Sequence, residues 1–306
     1  MIIDKTKFGN CLMRYRGCSD RNLMALMEGK QYFSSPKSFN DPYDVLVYAN
    51  RDKINEYIKT MIDTYMEDYV HDKIDEARRD PLGHAPSAIA LWYGDKKEVF
   101  FKVFLNQVSD CVTEIKEMVR EKQKVISFSE NIDNILMWSH YAEYHKGFCL
   151  IFDKDELQKA NDYDFDGKQI RKKHRLVKVQ YTDKRIDLSL EMAEYVKTHK
   201  MNPFNRDMEP AFNLSQETLR NILVQKAKVW EYEAEWRLIP RYIDLEKGSN
   251  MMYTRIDPIA VVCGAECDPQ NREKIIDICR KKKIDVYDMG LNSSNPDYSL
   301  VLSKCK

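Results

Sequence analysis

Residues 127–152, SFSENIDNILMWSHYAEYHKGFCLIF, constrain the fold more than any other stretch of this chain. They read as strand, helix and strand, with Gly147 where the helix needs a left-handed stop. Further short segments are β-branched or aromatic and bounded by polar residues or glycine: KVISFS, LVKVQY, AEWRLI, IAVVCG and DVYDM. These are the strand candidates. Helices are expected over 133–145, 187–200, 215–227 and 269–282, the last with Asp268 as its cap and Pro269 in its first turn. Between Arg51 and Arg79 apolar residues recur at three-four spacing, and a second such run follows Asp95, with the punctuated stretch DPLGHAPS between them. The pattern predicts one α+β domain over 1–306: a mixed, mainly antiparallel sheet core, flanking helices and an all-helical insertion over 50–122. With 306 residues, 43% of them hydrophobic, the chain can bury such a core without disulfides or metals.

Composition removes several function classes. Forty-nine basic residues balance forty-nine acidic ones, so no whole-molecule field draws in nucleic acid or an anionic membrane. The basic runs RKKHR at 171–175 and RKKK at 280–283 can be nucleic-acid patches, but a solvated face, and for the second a helix end, explain them equally simply. The opening MIIDKTKFGNCLMRYRG has no signal-peptide core, and no apolar stretch is long enough to span a bilayer, so a cytoplasmic, non-membrane protein is expected. Eight scattered cysteines read as reduced thiols, and the pair in CGAEC at 263–267 lacks a nearby histidine for zinc, so no metal is assigned. Neither GxGxxG nor GxxxxGK[ST] occurs.

Three polar constellations remain. In FSSPKSFNDPYD, residues 33–44, two prolines stiffen a loop that presents Ser34, Asn40 and Asp41 either to a ligand or to its own turn. On the helix of 133–145, His140 and Tyr144 share one face, while Trp138, Tyr141 and His145 share its neighbour. His145 there suits a cationic cap of the last turn. In VWEYEAEWRLI, residues 229–239, strict alternation predicts a half-buried strand with Glu231, Glu233, Glu235 and Arg237 on one face. That face is either solvated or carries Glu233 and Glu235 together into a cleft, where one carboxyl raises the pKa of the other.

The motifs MRYRG, YFSSPKSFNDPYD, SFSEN, MWSHYAEYHKGFCLIF, VQY and WEYEAEWRLI, in this order, resemble the family called domain of unknown function 2971 and cover roughly half the chain. The order of an early Tyr-Arg strand, a helix-to-strand segment, a central strand and a late glutamate strand is more loosely similar to ADP-ribosyltransferase-like folds. That resemblance implies NAD as a substrate: Arg16, with Tyr15, at its ribose; Ser34 with Tyr141 at the nicotinamide; Glu235 at the oxocarbenium-like transition state, Glu233 completing the pair. Tyr15 and Arg16 stand where many such enzymes carry histidine. Alternatives are a metal-dependent phosphoesterase or nuclease using Asp41, Asp44, Glu233 and Glu235, with basic residues 171–178 on phosphate, and a non-enzymatic ligand sensor that docks a partner through the helical insertion.

Overall fold

The computed structural model describes residues 8–57, 117–170, 174–191, 214–244, 247–294 and 296–305, together with Thr60, Arg79 and Thr113. The chain forms two compact units, one from 1–45, 120–184 and 223–306, the other from 46–119 and 185–222. Helices accompany a large, mostly antiparallel mixed sheet, which is the α+β class expected.

The first unit is built on an eight-stranded sheet. Its strands are β1 (Cys11–Arg16), β3 (Ile126–Ser129), β4 (Phe148–Asp153), β7 (His174–Lys178), β10 (Glu235–Pro240), β12 (Ala260–Cys263), β13 (Asp285–Leu291) and β14 (Leu300–Lys304), in the order β14-β13-β12-β4-β1-β3-β10-β7. Every pair is antiparallel except β12 with β13. Period-two alternation sends Phe148, Leu150 and Phe152 of β4 into one hydrophobic cluster and Cys149 and Ile151 into another. Both faces of the central strands are therefore buried, which is why they read as continuous apolar runs. Each large apolar side chain so buried contributes roughly 1.5–3 kcal/mol. A four-stranded antiparallel sheet joins β2 (Lys30–Tyr32), β11 (Tyr253–Arg255), β5 (Asn161–Tyr163) and β6 (Gln169–Ile170), and β8 (Gln180–Thr182) pairs in parallel with β9 (Gln225–Ala227).

The α-helices labelled among the described residues are α1 (Asp20–Glu28), α2 (Ile135–Tyr141), α3 (Lys154–Lys159), α4 (Gln216–Val224) and α5 (Pro269–Lys282). The Ser19 side chain caps α1 and Gly29 closes it in the left-handed region. Asp268 caps α5, with Pro269 in the first turn, as the sequence predicts. Among the described residues no helix is long and apolar enough to cross a membrane.

Several boundaries differ from expectation. The helix predicted over 133–145 stops at Tyr141, because Glu143, Tyr144 and His145 all take left-handed backbone angles (φ 49°, 57° and 68°). Gly147 does not supply the positive φ. It is required instead because a Cβ there would lie 2.1 Å from the Arg16 carbonyl oxygen. LVKVQY is two strands, β7 and β8, in different sheets. The helix expected to reach residue 227 ends at Val224, and the next three residues pair with β8. The strand predicted from 229 begins only at Glu235; Lys228–Glu233 is a 3-10 turn, reversed at Ala234 with φ 44°.

In the second unit residues 51–57 are helical, and Asn50 Oδ1 caps them by accepting from the Asp52 and Lys53 N–H groups. A bridge joins Tyr48 to Asp187, and residues 189–191 open a helix. The rest of the expected helical insertion up to residue 116, apart from Thr60, Arg79 and Thr113, and the remainder of the helix expected over 187–200, lie outside the described residues.

Candidate functional site

Strand β1 pairs with β4 at six positions but with β3 only at Met13–Ser129. Where that ladder is missing, the first unit holds a cavity of about 380 Å³. β1 contributes Arg14, Tyr15 and Arg16; the loop after β2 contributes Ser34, Asn40 and Asp44. Ser127 and Ser129 come from β3, His140 and Tyr141 from α2, and Lys226, Glu233 and Glu235 from the β9–β10 region.

One wall is a buried ionic network. Arg237, 0% exposed, is bidentate toward Asp44 (2.9 and 2.6 Å) and toward Glu235 (2.7 and 3.0 Å), and donates to the Leu223 carbonyl oxygen at 2.8 Å. Lys226 Nζ donates to Glu233, lies 3.1 Å from Glu235 Oε2 and 3.7 Å from Asp44 Oδ2. The other Glu233 oxygen accepts from the Tyr141 hydroxyl at 2.5 Å, and that hydroxyl accepts from Asn40 Nδ2 at 3.2 Å. Three carboxylates face two cations, so the fully ionised cluster carries one surplus negative charge.

The two glutamates are pushed apart in pKa. Burial alone would raise Glu235, but Arg237 and Lys226 outweigh it, and hydrogen bonds from Arg237 and Ser127 add to them, holding its carboxyl at about 2. Burial prevails at Glu233, opposed by Lys226 and reinforced by Glu235, and its pKa is raised. Burial, with Glu233 beside it, also raises the Tyr141 phenol. A carboxyl whose pKa is raised, bonded to a cavity-facing phenol, next to one whose pKa is lowered, is an arrangement suited to proton transfer.

Strand β1 adds basic residues to the lining. Arg14 is 5% exposed and donates to Gln31 Oε1 and to the Tyr32 carbonyl oxygen, both at 2.9 Å, with its guanidinium over the Phe128 ring. Arg16 follows on the same strand face. Among the described residues neither pairs with a carboxylate. Burial, then Arg16, lowers Arg14; burial, then Arg21, lowers Arg16 to about 10. Guanidinium groups keep their proton at neutral pH, so two uncompensated cations face the cavity.

Of the residues singled out in the sequence, Tyr15, Arg16, Ser34, Asn40, His140, Tyr141, Glu233 and Glu235 all line this cavity. Asp41 does not; it is buried, with Oδ1 accepting from the Tyr43 N–H and Oδ2 without a partner. The Tyr15 hydroxyl is turned to the Asn131 carbonyl oxygen at 2.5 Å, so only its flank meets the space. The solvated reading of the charged face is corrected: Glu233 and Glu235 are each 3% exposed and Arg237 is fully buried. His145 is no cationic cap. It stacks on Trp138, its Nδ1 is buried without a partner, and burial lowers its pKa.

Lys226 and Arg14 escaped the sequence reading. Nothing local distinguishes Lys226 from a solvated helix lysine, whereas the alternation CLMRYR does place Arg14 on the same face as Arg16. Three of the oxygen ligands of the phosphoesterase reading are already engaged, since Lys226 Nζ lies among Asp44, Glu233 and Glu235 and Arg237 clamps two of them. Of the basic residues proposed for phosphate, His174 is buried against Asp162, Lys178 pairs with Glu130, and 171–173 lie outside the described residues.

No curated protein and no solved structure matches the chain. Residues 137–238, which carry Tyr141, Lys226, Glu233, Glu235 and Arg237, match the model of the family described as Protein of unknown function (DUF2971), a match that covers one third of the chain.

Proposed function

We propose that the cavity binds a small ligand with phosphate groups at one end and a centre that is, or becomes, cationic at the other, and that NAD is the substrate class, cleaved or transferred at its N-glycosidic bond. The observation that carries this reading is that one cavity is lined both by Arg14 and Arg16, which have no carboxylate partners among the described residues, and by the carboxyl-bearing cluster of Asp44, Glu233 and Glu235. Guanidinium groups are suited to phosphate oxygens, and fixed negative charge in a partly dry site stabilises the positive charge that develops at the ribose carbon.

Within this reading Glu233 is the reacting carboxyl and Tyr141 its partner, because Glu235 is clamped by both Arg237 and Lys226 whereas one Glu233 oxygen meets the cavity-lining Tyr141 hydroxyl. Glu235 positions Lys226 and Arg237. Ser34 and Asn40 offer hydrogen bonds to the polar groups of the ligand, and His140 lies at the open side of the space.

The test combines thermal unfolding with chromatography. NAD and ADP-ribose are expected to raise the melting temperature, because a ligand bound only to the folded state stabilises it, and Arg14→Met and Arg16→Met to weaken that shift at least tenfold in ligand concentration. Wild-type protein is expected to release nicotinamide, and Glu233→Gln to bind NAD without releasing it. Binding without release in the wild type would leave a ligand-sensing protein, and no shift with either nucleotide would defeat the reading altogether.

A further inference from the structure

Among the described residues the buried guanidinium of Arg14 is held by neutral partners alone. Its Nη1 donates to Gln31 Oε1 and its Nη2 to the Tyr32 carbonyl oxygen, each at 2.9 Å, and its central carbon lies 5.7 Å from the centre of the Phe128 ring. Both acceptors belong to β2, whose ladder with β11 sets Gln31 opposite Thr254 and Tyr32 opposite Tyr253. Alternation along β2 sends the Gln31 side chain to one face and the Tyr32 ring to the other, where it meets Tyr253 edge-on. Gln31 is 2% exposed and does not line the cavity, whereas Arg14 does. The Gln31 amide nitrogen, Nε2, is buried and has no hydrogen-bond partner among the described residues. A half-satisfied amide inside a protein costs stability. A carboxylate at the same position would accept two N–H groups from the guanidinium and cancel its charge, which is how buried charges are usually accommodated. The amide forgoes that stability and leaves the charge in place.

We propose that Gln31 is a positioning residue that sets ligand specificity: its neutral amide fixes the Arg14 guanidinium while leaving the positive charge uncompensated, so that the site selects a ligand bearing a diphosphate. The inference rests on the placement of phosphate groups at Arg14 and Arg16 in the reading above, and it names the residue that keeps one of those charges free. Two of the five N–H groups of a guanidinium are spent on Gln31 and Tyr32, which fixes its orientation, and the others remain for phosphate oxygens. Arg16, two residues further along β1, supplies a second cation, so the pair matches the two anionic groups of a diphosphate better than a single carboxylate.

The experiment titrates inorganic pyrophosphate into folded wild-type, Gln31→Glu and Gln31→Met protein by calorimetry, and records the melting temperature of each without ligand. Gln31→Glu is expected to melt no lower than wild type, because its carboxylate satisfies Arg14, and yet to bind pyrophosphate at least tenfold more weakly. Gln31→Met keeps the charge but loses the acceptor, and several-fold weaker binding is expected. A merely structural glutamine would tie affinity to stability. Folded Gln31→Glu protein with wild-type affinity, or with affinity and melting temperature lowered together, would therefore overturn the proposal, as would wild-type protein that does not bind pyrophosphate. If Gln31→Glu does not fold, Gln31→Met decides: wild-type affinity overturns the proposal, and a several-fold loss sustains it. The probe carries neither ribose nor nicotinamide, so the two readings fail separately. Pyrophosphate binding that is lost in Gln31→Glu, in a protein that never releases nicotinamide from NAD, defeats only the cleavage reading; NAD cleavage with an unchanged KM in Gln31→Glu defeats only the role of Gln31.

Discussion

At the scale of single residues, Glu233 and Glu235 are equally buried and two positions apart, yet their surroundings give them different tasks. Glu235 is the counter-ion of a fully buried guanidinium, so removing its charge strands half of Arg237's partners in a dry interior. Breaking a buried pair in this way costs about 3–5 kcal/mol, and Glu235→Gln is expected to lose about 3 kcal/mol of stability in chemical denaturation, Asp44 retaining part of the compensation. The Glu233 pKa is raised rather than lowered, so the fold favours its charge less than it favours that of Glu235, and glutamine imitates its neutral form in shape and charge. Glu233→Gln is therefore expected to cost less than about 1 kcal/mol, close to the range of substitutions that leave no buried charge unpaired. Equal losses in the two variants would show that the division of labour between them is wrong.

At the scale of elements, the site depends on two departures from regular structure that local pattern does not announce. Alternation over 229–239 correctly marks Glu233, Glu235 and Arg237 as one functional set, but it cannot reveal that Lys228–Glu233 coils into a 3-10 turn and reverses at Ala234. Those angles are stabilised by distant partners: Ser129 Oγ donates to the Glu233 carbonyl oxygen, and Asn131 and Asn134 donate to that of Tyr232. After α2, likewise, the periodicity reads on toward residue 145 while the chain takes three left-handed residues, none of them glycine. Each costs roughly 1–2 kcal/mol relative to a right-handed residue, a cost that glycine avoids. Tyr144, 78% exposed, can be replaced without loss of packing, so Tyr144→Gly is expected to stabilise the protein by about 1 kcal/mol. Gly147→Ala is expected to do the reverse, losing about 3 kcal/mol, since its Cβ would collide with the backbone of Arg16. Thermal unfolding of both variants checks the pair. A destabilised Tyr144→Gly, or a neutral Gly147→Ala, would mean that the segment is not held as described.

At the scale of the whole molecule, the cavity draws its basic wall from the first stretch of the first unit, His140 and Tyr141 from the second, and its lysine and glutamates from the third. A net charge of zero conceals this separation, because charge placed by long-range folding leaves no trace in a sum over the sequence. Polar residues within legible motifs were readable as candidates; Lys226, brought in by the pairing of β9 with β8, was not. The same network ties global stability to pH in two opposite senses. Glu235, held at about 2 against an ordinary 4.5, contributes stability that is present above pH 4.5 and lost as the pH falls through about 2. At 1.36 kcal/mol per pH unit that depression corresponds to about 3 kcal/mol. Glu233, raised above 4.5, contributes stability that is fully present below pH 4.5 and lost as the pH rises through its folded-state value. Denaturant titrations of wild type, Glu235→Gln and Glu233→Gln across this range separate the two. The wild-type advantage over Glu235→Gln is expected to vanish toward pH 2, whereas the stability of Glu233→Gln relative to wild type is expected to climb as the pH rises above 4.5. Parallel curves for all three proteins would mean that neither carboxyl titrates differently in the folded and unfolded chains, and the proton-transfer reading of the Tyr141–Glu233 pair would lose its physical basis.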